Sequence, residues 1–204
     1  MADALDAVLT RSRALGFLGP GPVKEQRAHA EAFLGAIDAA EVRTAVDLGS
    51  GGGIPGLVLA AALPHVHWIL LDGMVRRTTF LEEAVAALGV GDRVEVQTLR
   101  AEEAARRPAW RGRLDLVVAR SFAAPAVTAE CAAGFLRVGG QLVVSEPPGS
   151  SGTRWSSAGL SELGLALAAL VPGPPTFAKL RLASPAPERF PRRVGVPAKR
   201  PLWT

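Results

Sequence analysis

A single cysteine, Cys131, is all that the 204-residue chain carries, so no internal disulfide can form. No charged-then-apolar leader and no run of about 18 apolar residues is present, which predicts a cytoplasmic chain with no membrane partner. Three histidines, His29, His65 and His67, have no metal-ligand constellation around them, and clustered carboxylates suited to magnesium are missing, so no metal is expected. Lysine is scarce, three against twenty arginines. That bias favours bidentate phosphate contacts, but a GC-rich gene produces it equally well.

Apolar residues are plentiful: they make up 49% of the chain, with a mean hydropathy of +0.23, enough for one core at this length. The charge is uneven. Residues 151–204 hold eight Lys/Arg against Glu162 and Glu188, whereas residues 1–150 hold fifteen basic against seventeen acidic groups. A basic end on a near-neutral body suits a polyanionic partner.

Breakers in Gly19-Pro20-Gly21-Pro22 precede Val23–Glu41, where Ala30, Phe33, Leu34 and Ile37 recur at helical spacing and predict a lid or packing helix. From Thr44, apolar runs at 45–48, 66–72, 93–99, 114–120 and 140–146 alternate with helical segments at 55–63, 76–88, 102–107 and 125–136. This alternation predicts a parallel sheet with right-handed crossovers. After a 147–152 loop and a short helix near 156–163, the runs 164–171 and 176–182 are joined by Pro172-Gly173-Pro174-Pro175, too short for anything but an antiparallel pair. The expected fold is α/β: a doubly wound, mostly parallel seven-stranded sheet with a C-terminal antiparallel hairpin. That is the Rossmann-like layout of class I S-adenosylmethionine-dependent methyltransferases, and it differs from an all-parallel dinucleotide-binding domain. Three stretches are expected: a helical segment over 1–42, the α/β domain over 43–184, and a Pro/Arg-rich basic arm over 185–204.

The strongest local signal is Val46-Asp47-Leu48-Gly49-Ser50-Gly51-Gly52-Gly53-Ile54-Pro55-Gly56, between the first strand and its helix. Glycines there let the backbone turn tightly and approach a ligand, and Pro55 suits the first helical turn. Gly51-x-Gly53-x-x-Gly56 also fits a dinucleotide fingerprint, and Asp72 at the end of strand two suits ribose hydroxyls for either cofactor. Asp47 separates the two. Its carboxylate would oppose the pyrophosphate of NAD by roughly a few kcal/mol at an effective dielectric of about 20. S-adenosylmethionine instead offers an ammonium and a sulfonium, which Asp47 could hold directly or through water while Gly49 and Ile54 line the cofactor. The competing role for Asp47 is a loop brace. After strand three, Ala101 N–H and the Glu102 carboxylate complement the edge of adenine, although Glu102 also fits as an ordinary helix-start charge.

Strand four ends in Ala119-Arg120-Ser121-Phe122, and ligands of open α/β sheets lie beyond the strands' carboxyl ends. Arg120 is therefore placed toward the cofactor's methionine end or the acceptor, unless it serves an ion pair with Asp72 or Asp47. No Asn/Asp-Pro-Pro-aromatic run follows strand four, which removes the usual means of holding an exocyclic amine. Ser145-Glu146-Pro147-Pro148 follows strand five and reads as a turn. Cys131 falls within a helix, which disfavours covalent pyrimidine chemistry. A guanine N7 acceptor fits what remains: it already has an in-plane lone pair and needs no base, only alignment and a donor such as Arg120 near O6.

These residues resemble the small-subunit ribosomal RNA guanine-N7 methyltransferases, the glucose-inhibited division protein B family. The likeness covers roughly Thr44–Gly140 and the tail: the glycine loop, Leu70-Leu71-Asp72 with Arg76-Arg77 and Phe80-Leu81, Arg100-Ala101-Glu102, Ala119-Arg120-Ser121-Phe122, and the ending from Arg189 to Leu202. The resemblance implies cofactor contacts at Gly49, Ile54, Ala101, Glu102 and Arg120, alongside the expectations for Asp47, Gly51 and Asp72. Arg120 is the expected catalytic residue, and ribosomal RNA or the small ribosomal subunit the expected partner of a monomeric enzyme. Arg189, Arg192, Arg193, Lys199 and Arg200, set among prolines, are expected to follow a phosphate backbone or to be a solvated tail. The family's N-terminal Asn-Leu-Thr and His-x-x-Asp-Ser elements have no match before Thr44, where only His29-Ala30-Glu31-Ala32-Phe33 stands, and Ser145-Glu146-Pro147-Pro148 replaces a lysine-glycine pair. The alternatives are a metabolite methyltransferase, an NAD-dependent oxidoreductase, which Asp47 and the hairpin disfavour, and a non-catalytic RNA-binding module, which the intact glycine loop disfavours.

Overall fold

The computed structural model describes residues 2–204. Strands β1 (Thr44–Leu48), β2 (His67–Asp72), β3 (Val94–Thr98), β4 (Leu114–Ala119) and β5 (Leu136–Ser145) are mutually parallel. The hairpin β6 (Leu165–Val171) and β7 (Phe177–Leu182) is antiparallel, with β7 running against β5, and the sheet order is β3-β2-β1-β4-β5-β7-β6. This is the predicted seven-stranded, doubly wound layout.

Alternation explains the two cores. Along β1 and β2, Ala45, Trp68 and Leu70 point to one face, and Val46, Leu48, Ile69 and Leu71 to the other. Both faces are covered, so central strands need apolar residues at nearly every position. On the first face lie α1 (Ala2–Ala14), α2 (Val23–Glu31), α3 (Gly56–Ala62) and α4 (Val75–Leu88). The second face carries α5 (Ala101–Ala104), α6 (Pro125–Ala133) and α7 (Ser157–Glu162), and the tail with α8 (Val196–Lys199) packs on that side against α6. No helix among the described residues is long and apolar enough to cross a membrane.

Three local expectations are corrected. The single helix over Val23–Glu41 stops at Glu31 and continues as 3-10 turns at Ala32–Gly35 and Ala39–Glu41. Tertiary contacts impose the break: Phe33 is buried against Phe177 with ring centroids 4.5 Å apart, and Asp38 turns to pair with Lys179 at 2.6 Å and with Arg181. The helical segment expected over 1–42 opens with a separate helix, α1, for which the sequence sets no bounds. It buries Leu5 and Leu9, one turn apart, and its Ser12 Oγ donates to Gly52 O at 2.9 Å, so it closes over the glycine loop. Strand β5 begins at Leu136 rather than near 140, through a bulge opposite Leu114–Leu116.

Candidate active site

The sheet reverses its winding between β1 and β4, and two cavities open there, beyond the strands' carboxyl ends. The first, ≈340 Å³, is bounded by Gly49, Asp72, Ala101, Glu102 and Cys131, with Ala198 from α8. The second, ≈310 Å³, is bounded by His29, Arg120, Glu146, Arg154 and Trp155. Ser121, Phe122 and Ala123 belong to both and form the wall between them. Ser121 holds that wall in a left-handed conformation, φ 54°, uncommon for a residue with a side chain.

Four residues singled out from sequence, Gly49, Asp72, Ala101 and Glu102, therefore meet in one cavity. Gly49 (φ 70°) has no room for a side chain, since a Cβ there would stand 2.8 Å from Phe122 Cδ2. Asp72 accepts from Gly51 N–H at 3.0 Å and Met74 N–H at 2.9 Å, which ties the glycine loop to the end of β2. Its Oδ2 also takes Arg77 Nη1 at 3.4 Å, so Oδ1 is the oxygen that keeps a further lone pair. Glu102, buried, accepts Gly195 N–H at 2.9 Å through Oε1, while Oε2 is 4.0 Å from Arg100. Cys131 contributes a buried thiol whose pKa burial pushes well above its ordinary value, so it is neutral.

Asp47 and Ile54 line neither cavity. The Asp47 carboxylate points beneath the loop and accepts the buried N–H of Gly56 at 2.9 Å, where only glycine fits because a Cβ would lie 2.5 Å from Asp47 Oδ2. Oδ1 has no partner, and burial pushes the carboxyl up to about 7, against the lowering effect of the Gly56 N–H. Direct capture of a cofactor ammonium by Asp47 is thus corrected to bracing of the loop. Ile54 packs in the core under the same loop, and Gly51 spends its N–H on Asp72.

Arg120 is half-buried and donates to Gln26 Oε1 of α2, not to Asp47 or Asp72. Burial lowers its pKa, and the Asp47 charge opposes that shift. His29 Nε2 lies 2.8 Å from Ser145 Oγ; burial, helped by Arg120, pushes its pKa down to about 4, so the ring is neutral. Glu146, read from sequence as part of a turn, is a buried cavity residue that accepts from Trp155 Nε1 at 3.1 Å and Ser150 Oγ at 2.5 Å. Sequence reasoning missed Phe122 and Trp155 as site residues. A signal for Phe122 existed in its place just after the motif that ends β4; Trp155 had none, because a loop brings it to the site.

The basic tail is not an extended arm. Phe190 is buried, and Arg106 and Arg111 donate to the carbonyls of Pro191 and Phe190, each at 2.8 Å. Arg192 gives its backbone N–H and guanidinium to Glu130, which is fully buried, at 2.6–3.2 Å. Arg189 pairs with Glu162 at 3.1 Å and lies over the Phe190 ring. The expected set of five phosphate-contacting cations is thereby corrected: Arg192 is committed to the fold, and Arg193, Lys199 and Arg200 are the exposed ones that enter no ion pair among the described residues.

A family model described as GidB, rRNA small subunit methyltransferase G, matches residues 31–146. A ribosomal RNA small subunit methyltransferase G from Synechococcus sp. (strain WH7803) is 34% identical over 174 residues, covering 78% of this chain and 66% of that one. Its counterpart from Prochlorococcus marinus (strain MIT 9313) is 36% identical over 179 residues, covering 81% and 70%. The chain thus spans about two thirds of the length of these curated relatives. Among solved structures, a cofactor-bound protein from MTB superposes with a TM-score of 0.63 at 20% identity, covering 89% of this chain and 90% of the other. A SAM-dependent O-methyltransferase from Thermotoga maritima gives 0.60 at 14% identity, covering 87% and 71%. At these identities the structural likeness speaks for the fold alone.

Proposed function

The chain belongs to the rRNA small subunit methyltransferase G family, and from that premise we propose that it transfers the methyl group of S-adenosylmethionine to N7 of a guanine in small-subunit ribosomal RNA. One observation carries this reading: two cavities share the Ser121–Ala123 wall, one with acidic side chains for an adenosine, the other with two guanidiniums, Arg120 and Arg154, and the Glu146 carboxylate. The residues fit the cofactor. Asp72 and Glu102 supply acceptors for ribose hydroxyls and the adenine amino group, Ala101 N–H a donor, and Gly49 the close approach. Bound there, S-adenosylmethionine would supply an electrophilic methyl on a sulfonium.

The acceptor cavity matches guanine in polarity. Guanine shows acceptors at O6 and N7 and donors at N1 and N2; Arg120 supplies the donor and Glu146 the acceptor. Since N7 loses no proton on methylation, a neutral His29 and an arginine without basic character suffice, and positioning does the catalytic work. Phe122, in the shared wall, sets the aperture through which donor and acceptor meet. The buried Glu146 also favours a second reading, an amine-bearing metabolite as acceptor.

The deciding experiment maps N7-methylated guanines in ribosomal RNA from a strain lacking this gene, from its parent, and from the deletion strain carrying Arg120→Ala. Loss of one modified guanine in the deletion and the Arg120 variant is expected. An unchanged guanine pattern would overturn the RNA assignment in favour of a metabolite.

A further inference from the structure

We propose that the C-terminal segment 190–199 is a wall of the cofactor cavity, with Arg192 and Gly195 as positioning residues that hold Glu102 and α8 against the adenosine end. The inference rests on the reading of the ≈340 Å³ cavity as the cofactor's.

The chain of contacts is continuous. Phe190 is buried in the second core, and Arg106 and Arg111 fix the carbonyls at 190 and 191. The next residue, Arg192, clamps Glu130 on α6 by its N–H and by the Nε–Nη2 edge of its guanidinium. Three residues on, Gly195 (φ 78°) turns the chain and spends its N–H on Glu102 Oε1. That turn starts α8, whose Ala198 lines the cavity directly. α6 also carries Cys131 into the same cavity, so the Glu130–Arg192 clamp joins the helix at the cavity's floor to the segment at its side. With one oxygen fixed by Gly195, Glu102 keeps a defined rotamer and presents the other. Without the segment, that carboxylate would lose its partner and the cavity would open to solvent on one side. Adenosine binding and docking of the segment are therefore linked, and each must favour the other.

Two measurements on the full chain test this. Amide hydrogen exchange of residues 193–199 is followed with and without saturating S-adenosylhomocysteine; at least a tenfold slowing at Gly195 is expected. Calorimetry then compares the parent, Arg192→Ala, and the double variant Glu130→Gln/Arg192→Gln, which exchanges the ion pair for an amide pair. The dissociation constant is expected to rise at least tenfold in Arg192→Ala and to return to within about threefold of the parent in the double variant. Should Arg192→Ala fail to fold, the exchange experiment on the parent decides. A parent that binds the ligand with no change in exchange at 193–199 overturns this inference alone, as does a folded Arg192→Ala with parental affinity. A parent that binds no S-adenosylhomocysteine overturns the cavity assignment and this inference with it.

Discussion

Replacing Arg192 by alanine leaves the Glu130 carboxylate, which has no solvent exposure at all, facing a hole where two guanidinium nitrogens stood 2.6 and 2.9 Å away. A charge left buried without its partner costs about 3–5 kcal/mol. Two features pull the figure down: the backbone N–H of residue 192 still donates at 2.7 Å, and the arginine side chain is 26% exposed, so water reaches part of the site. The expected loss is therefore about 3 kcal/mol, the lower bound for breaking a buried pair. In a chain of this size each kcal/mol moves Tm by about 2–4 °C, so scanning calorimetry should show a fall of about 6–12 °C. Salt screens a pair this buried only weakly, so most of the deficit should persist at high ionic strength. Glu130→Gln/Arg192→Gln should recover most of the loss, because no charge is stranded. A Tm within about 2 °C of the parent, or a deficit that salt erases, would refute the argument by showing that the pair behaves as a surface contact.

For pH, Asp47 is the group to probe. Its carboxyl is raised from 3.8 to about 7 in the fold, so its contribution to stability is complete below its unfolded value and is lost as pH rises through about 7. Asp47→Asn should gain stability relative to the parent between pH 4 and 8 in urea titrations; parallel curves would contradict the burial argument. Phe122→Leu should weaken binding of S-adenosylmethionine by about 2- to 30-fold, the range of a cation–π contact, and leave S-adenosylhomocysteine unaffected, because only the sulfonium is charged. Equal losses for both ligands in calorimetry would reduce Phe122 to a packing residue. Replacing Arg193, Lys199 and Arg200 together by alanine should lower RNA affinity and flatten its log–log salt dependence by about 2–3, at roughly 0.7–0.9 per lost phosphate contact. An unchanged slope would remove the tail from the RNA interface.

The sequence by itself determined the topology and much of the lining of the ≈340 Å³ cavity. Apolar runs of strand length, the alternation with helices and the tight loop at 172–175 each follow from chain geometry over a few residues, and they sufficed for seven strands and the closing hairpin. Gly49, Asp72, Ala101 and Glu102 were legible for the same reason: each sits where a strand ends, and in such a sheet the strand ends converge. Only the tertiary structure decided the direction in which side chains point and the partners they meet. Asp47 occupies the expected strand end, but the pleat turns its carboxylate under the loop, toward Gly56 and away from the cavity. Arg192 carries the same charge as Arg193, and nothing local distinguishes them; the distinction is Glu130, 62 residues earlier in the chain and fully buried. The break after Glu31 and the entry of Glu146 and Trp155 into the ≈310 Å³ cavity depend likewise on groups distant in sequence, and so does the entry of Ala198 into the neighbouring one. Pattern reports which face is apolar; long-range pairing, fixed only once the core has closed, reports which charges remain for a ligand.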